Sequence, residues 1–449
     1  MKQSPPTPGP ERNVAYPRIP GQTLENGLEV LTVFDDRLPR VSITLVLPVG
    51  RTGNPEDNSS LIPLAVELMK SGTETRSARE LSALMDRFAI HYESDTLMEH
   101  SYISMAFLRP QLETAMELLS DIVLGAAFPE EEATRTRTRW KSQLMAQRSQ
   151  PGFLAEECLA KALYGDHPYA RVSIRPEHLE QTSAGLVADT FRARGGPRGS
   201  YLLFAGPVDL EESLRLSDRS LGAWEDGAPH PVTLPQAPEV GGRRICLVHR
   251  AHSVQSHVLV GGRTLPRADP QMLDLRVTNQ ILGGGASARL FLNLREQKGY
   301  TYGAYSQLKS YSRDGLFMAG ASVKTEVTLE SLEEILKELD SLQREPPAEE
   351  ELIRCRQEII GSFIRQMETP SSVAFLELDK RLYGIPDDYY EQLIPRVRKV
   401  GAETVKETAK RFFDPARALV VIVADRDRVE GPLAKMGDLE VYDANGNPL

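Results

Sequence analysis

Long hydrophobic runs are missing from this chain. No apolar stretch approaches the ~20 residues that a membrane-spanning helix needs, so no span is expected. Cysteine is scarce: Cys158, Cys246 and Cys355 are the only three. They lie too far apart for a disulfide framework or a zinc knuckle. Such sparing use fits a reducing compartment, so the expected location is cytoplasmic, or periplasmic if a signal peptide has been removed. The N-terminus, MKQSPPTPGPERN, has no apolar segment after Lys2 and does not read as a secretory signal. Positive charge is in deficit as well. Lys and Arg number 53 against 63 Asp and Glu, a formal net charge of −10, whereas a nucleic-acid binder needs a concentrated basic face. Neither H-x-x-E-H nor H-E-x-x-H occurs anywhere, so no helix offers the paired histidines of those zinc motifs.

What remains is the composition of a soluble globular protein over 449 residues, more than one hydrophobic core usually serves. Residues 225–242, EDGAPHPVTLPQAPEVGG, are rich in Pro and Gly without apolar periodicity and read as a linker. The linker separates a first domain, residues 22–224, from a second, residues 243–449. Residues 1–21 read as a loose, Pro-rich arm.

The two stretches match in the order of their elements. Leu28 to Val49 and Arg243 to Gly262 each read as strand, turn, strand, followed by helical stretches at Leu61 to Lys70 and Met272 to Leu282. Ser101 to Gln147 and Leu316 to Arg365 each run strand, amphipathic helix, a Pro-plus-acidic helix start, and a second long helix. Tyr164-Gly165 and Tyr383-Gly384 recur at equivalent places, and apolar strands close both halves at Tyr201 to Ala205 and Ala418 to Ala424. The expected fold is α+β. Two homologous domains, each a mostly antiparallel sheet with long helices packed on one face, are expected in a clam-shell arrangement.

The segment Leu282 to Ser306, LGGGASARLFLNLREQKGYTYGAYS, is the most distinctive. It carries a glycine triplet, Gly283, Gly284 and Gly285, and then Arg295 seven residues before Tyr302. Three glycines permit left-handed backbone and close approach to a peptide. A plain helix cap and turn is the rival reading. The Lys-Ser/Thr ending of a phosphate-binding loop is absent.

This order of elements and these motifs resemble the pitrilysin-type zinc peptidases, particularly the mitochondrial-processing-peptidase-like bacterial branch, from about Gln22 onward. The family's inverted zinc motif, H-x-x-E-H, lies shortly before a Gly-Thr pair. Aligned on Gly72-Thr73, the first histidine position holds Pro63, the base position Val66 and the second histidine position Glu67. Gln143 falls where the third ligand, a Glu, is expected, and Thr136 at an auxiliary Glu position. A neutral amide is a poor zinc ligand beside a carboxylate, so no metal is expected in this chain. His249, His252 and His257 have no acidic or Cys partner at metal spacing and read as exposed turn and strand-edge residues. His167, in YGDHPYARV, reads as structural.

The resemblance implies a role for the other half. Active units of the family need a second half whose R-x-x-x-x-x-x-Y segment reaches the reaction from the opposite wall, and Arg295 and Tyr302 match that pattern. A guanidinium offers a planar fork of donors to a substrate carbonyl or carboxylate, and a phenol can donate to an oxyanion. The triplet resembles the glycine-rich loop of non-catalytic processing-peptidase subunits, which implies substrate handling. The chain is thus expected to be a non-catalytic subunit, inert alone. Its implied partner is a homologous chain with H-x-x-E-H and zinc, and the two would close round a peptide substrate. The alternative is a structural scaffold subunit in which Arg295 and Tyr302 are remnants.

Overall fold

A computed structural model describes residues 15–225, 233–239 and 241–449. Among the described residues, twelve strands form two six-stranded sheets. The first contains β1 (Gly21–Thr23), β2 (Glu29–Phe34), β3 (Arg40–Leu47), β4 (His91–Thr96), β5 (Ser101–Leu108) and β6 (Tyr201–Gly206), in the order β1-β2-β6-β3-β5-β4. The second contains β7 (Arg244–His249), β8 (Gln255–Thr264), β9 (Ala304–Ser310), β10 (Gly315–Lys324), β11 (Leu419–Ala424) and β12 (Leu439–Tyr442), in the order β12-β7-β11-β8-β10-β9. Five consecutive positions correspond between the sheets. Only β2 with β6 and β7 with β11 pair in parallel among these, and the rest are antiparallel. The outermost strands break the symmetry: β1 is antiparallel to β2, while β12 is parallel to β7.

Eight helices position the candidate sites. The first half supplies α1 (Leu61–Leu68), α2 (Leu112–Leu124), α3 (Glu130–Arg148) and α4 (Pro151–Tyr164). The second supplies α5 (Met272–Gly283), α6 (Thr328–Arg344), α7 (Glu349–Gln366) and α8 (Pro370–Tyr383). Both α3 and α7 open with three glutamates, which complement the positive end of the helix dipole. Both α4 and α8 begin on a proline, where the missing N–H has no intrahelical acceptor. They end at Gly165 and Gly384, whose φ values of 59° and 62° favour a residue without Cβ.

Alternation along the strands decides what covers each sheet. Val30, Leu202 and Phe204 face α1 and α2 of their own half. Their neighbours Leu31, Val33, Leu203 and Ala205 point to the other face, which α8 of the second half covers through Val373, Ala374 and Leu378. The exchange is reciprocal. Leu154, Leu159 and Leu163 of α4 pack on Cys246, Val248, Val421 and Val423 of the second sheet. The α+β plan with two homologous units is therefore as expected, and each unit also lends one helix to the other's sheet. All six residues of β11 are buried as a result.

The loose arm expected over residues 1–21 ends sooner than composition suggests. Tyr16 and Ile19 are buried, the Tyr16 ring lies 5.3 Å from that of Tyr390, and its hydroxyl donates to Glu377 at 3.4 Å. An aromatic ring with a buried acceptor in reach outweighs the prolines around it. Residues 1–14, and residues 226–232 and 240 of the expected linker, lie outside the described residues. The linker's residues 233–239 are tied down: Arg263 donates to the Pro238 carbonyl at 2.6 Å, and His167 Nε2 meets the Pro235 carbonyl at 2.9 Å.

Candidate functional site

Helices α1 and α3 touch, and their contact gathers four of the positions that the zinc motif would occupy. Pro63, Val66, Glu67 and Gln143 all line one cavity of about 230 Å³. Pro63 is tolerated because it lies in the first turn of α1, where N–H groups have no intrahelical acceptor. The Glu67 carboxylate is held by Arg139 of α3 and by Lys70 at 3.4 Å. Its charge is already matched, Gln143 offers only an amide, and Pro63 and Val66 have no donor atom. These residues do not fit a zinc ion. Among the described residues, no group of three or more His, Cys, Asp or Glu is placed to hold a metal. Thr136 is buried on α3.

The same cavity contains a residue that the sequence did not single out. Arg51 follows β3 on a short turn, and its Nε and Nη1 donate to the carbonyls of Thr96 and Val172 at 3.1 and 3.3 Å. Burial drives its pKa down, and Asp95 acts weakly in the opposite direction. An arginine beside a glycine after a strand is too common a pattern to stand out.

The second set of residues begins where α5 ends. A Cβ on Gly283 would lie 2.4 Å from the backbone nitrogen of Ser306 on β9. Gly284 caps the helix, and Gly285 has room around it. None of the three has a positive φ, which corrects the expectation that the triplet uses left-handed backbone. Close helix–strand contact is what Gly283 serves. Only Gly284 and Gly285 reach the surface.

Leu292–Gln297 form a π-helical turn, with the Lys298 N–H donating five residues back to the Asn293 carbonyl at 2.9 Å. Such turns recur at functional sites. A carboxylate clamp holds this one: Asn293 donates to Glu334 at 2.9 Å and to Glu338 at 2.7 Å, and Lys298 pairs with Glu334 at 2.9 Å. Burial of Glu334 opposes ionisation, but the bonds from Asn293, Lys298 and Lys337 prevail and lower its pKa to about 2.

On this turn the Arg295 guanidinium lies over the Phe291 ring at 4.7 Å, with one loose ion pair to Glu296 at 3.7 Å. Tyr302 comes just before β9 and is 93% exposed. It packs on no sheet face. Neither Arg295 nor Tyr302 lines the Glu67 cavity, so the chain carries two separate sets of candidate residues.

The histidines have individual structural roles. His249 Nδ1 accepts from the Arg426 N–H at 3.1 Å, His257 Nδ1 meets the Ser322 hydroxyl at 2.9 Å, and His167 Nδ1 accepts from the Tyr169 N–H at 3.1 Å. His252 is exposed in its turn, as expected, whereas His249 and His257 are half-buried. His257 lies beside Gly152 of α4, the helix contributed by the first half, and that cover accounts for its partial burial.

Residues 29–177 match the family description "Insulinase (Peptidase family M16)" and residues 189–359 match "Peptidase M16 inactive domain". The uncharacterized zinc protease YmxG of Bacillus subtilis is 23% identical over 89% of this chain and 97% of its own length. An uncharacterized zinc protease of Streptomyces coelicolor is also 23% identical, over 90% of each. Among solved structures, a peptidase M16 inactive domain from Pseudomonas fluorescens superposes with a TM-score of 0.83 at 20% identity, covering 90% of this chain and 98% of that one. The periplasmic protease PqqL of Escherichia coli gives a TM-score of 0.72 at 17% identity, covering 94% of this chain and 49% of that one.

Proposed function

The chain belongs to peptidase family M16, and from that premise we propose that it is the zinc-less, peptide-handling subunit of a two-chain zinc peptidase. The partner would be a homologue bearing H-x-x-E-H, as in the processing-peptidase-like branch, and that motif would hold the zinc that activates water. This chain contributes Arg295 to bind a substrate carbonyl or carboxylate, Tyr302 to donate to the oxyanion, and the surface of Gly284 and Gly285 to let the peptide backbone come close.

The observation that carries this reading is the freedom of Tyr302. A tyrosine 93% exposed, between the carboxylate-clamped π-turn and β9, has no packing role of its own and is available to another molecule. The misfit of Pro63, Val66, Glu67 and Gln143 to zinc supports the division of labour. So does the neighbour PqqL, of which this chain covers 49%: that protein has room for a second unit of this size.

Co-purification with an H-x-x-E-H homologue and assay of the pair on peptides tests the reading. Arg295→Ala and Tyr302→Phe should each lower turnover by about 10²–10³ with assembly unchanged, the usual loss for one oxyanion donor. Unchanged turnover would make this chain a scaffold. Chelator-sensitive cleavage by the purified single chain would overturn the proposal altogether.

A further inference from the structure

We propose that the cavity around Glu67 is a binding site for a carboxylate group, anchored by Arg51. The internal repeat supplies the comparison. Arg51 and Arg267 hold equivalent places, each just beyond a central strand, β3 or β8. Each donates its backbone N–H to a carbonyl four residues before the next long strand, Arg51 to Leu97 at 2.9 Å and Arg267 to Tyr311 at 2.8 Å. Each side chain lines a cavity built from corresponding elements.

The two guanidinium groups differ in their counterions. Arg267 is matched within the chain, by Asp379 of α8. Counting from the proline that starts each helix, the α4 residue equivalent to Asp379 is Ala160. The first half therefore has the cation without its partner.

No other acid compensates among the described residues. Arg51 has no carboxylate within ion-pair distance; Asp95 acts on it only through space. Glu67, the other acid in the cavity wall, is held by Arg139 and Lys70. The Thr96 and Val172 carbonyls fix the Arg51 fork through Nε and Nη1, which leaves Nη2 unbonded. In the same wall the Ser94 hydroxyl lies by the Tyr92 phenol but makes no well-formed hydrogen bond.

A largely buried guanidinium without a counterion is costly, and a carboxylate can accept a charge-assisted bond from its free Nη2. Trp140 and Phe153 add aromatic wall. At about 230 Å³ the cavity is smaller than the roughly 300–1,000 Å³ of drug-sized sites. It suits one residue with a large apolar side chain and a free carboxylate. The source is either a free amino acid or the last residue of a peptide.

Calorimetric titration of the full chain with N-acetyl-phenylalanine and with N-acetyl-phenylalaninamide tests this. The acid should bind and the amide should bind about tenfold more weakly, the loss of one charge-assisted contact. Arg51→Met should abolish the difference, and Ser94→Ala should weaken the acid a few-fold. A longer peptide ending in phenylalanine, run beside its own amide, distinguishes the sources: the acid that binds names the one in use. Equal affinity for acid and amide, or no binding by any acid at millimolar concentration, overturns the proposal. If Arg51→Met does not fold, the acid–amide comparison on the unaltered chain decides alone. The readout involves no catalysis, so it stands or falls apart from the roles of Arg295 and Tyr302.

Discussion

A single missing methyl group sets the course of the chain at Gly283. Its neighbour is the backbone of β9 rather than a movable side chain, so Gly283→Ala has to push helix and strand apart. We expect it to cost about 1–3 kcal/mol in chemical denaturation, the range for overpacking, whereas Gly285→Ala, whose Cβ would meet only the Gln280 side chain at 3.7 Å, should leave stability unchanged. Glu334 supplies a second test. Its folded pKa of about 2 lies below the ordinary value of 4.5, so its stabilisation is fully present above about 4.5 and is lost as the pH falls towards 2. Thermal melts of the parent and of Glu334→Ala should therefore differ most near neutrality and converge in acid. A gap that stays constant across that window would mean that the clamp contributes no charge-dependent stability. At this scale the sequence was partly legible. The family resemblance, aligned on Gly72-Thr73, singled out Pro63, Val66, Glu67 and Gln143, and all four line one cavity because their two helices touch. Arg51 was not legible, since its distinction lies in an absent counterion that only packing reveals.

Among the elements, α8 shows how an exchanged helix is held. Its Glu377 is almost fully buried and accepts from Lys380 at 2.9 Å, from Arg381 at 3.0 Å and from the Tyr16 hydroxyl. Removing the carboxylate leaves the buried Lys380 without its nearest partner, so Glu377→Ala should cost about 3 kcal/mol by urea titration. A loss below about 1 kcal/mol would place the hold on α8 in its apolar face alone. Most elements could be placed from sequence because their apolar periods are clear. The π-turn could not, because the rest of LNLREQ consists of good α-helix formers and the extra residue is imposed by the Glu334 and Glu338 bonds to Asn293. The ordered end of the N-terminal arm was hidden for a similar reason: its stability comes from Tyr390 and Glu377, more than 350 residues away in sequence.

For the molecule as a whole, the exchange of α4 and α8 ties the stability of each half to the other. Residues 22–224 alone would expose Leu31, Val33, Leu203 and Ala205, and residues 243–449 alone would expose Cys246, Val248, Val421 and Val423. We expect the intact chain to unfold in one transition by calorimetry, and each half expressed alone to aggregate while the two co-expressed halves associate. Two resolved transitions would refute this coupling. The repeat itself was readable from element order, but the exchange was not. Alternation reveals that a strand is apolar on both faces without naming the helix that covers it.

The reciprocal loan of helices also bears on how the two halves can change. A lone copy with this plan would leave one sheet face bare. The two copies can therefore diverge in chemistry only as far as each continues to shelter the other.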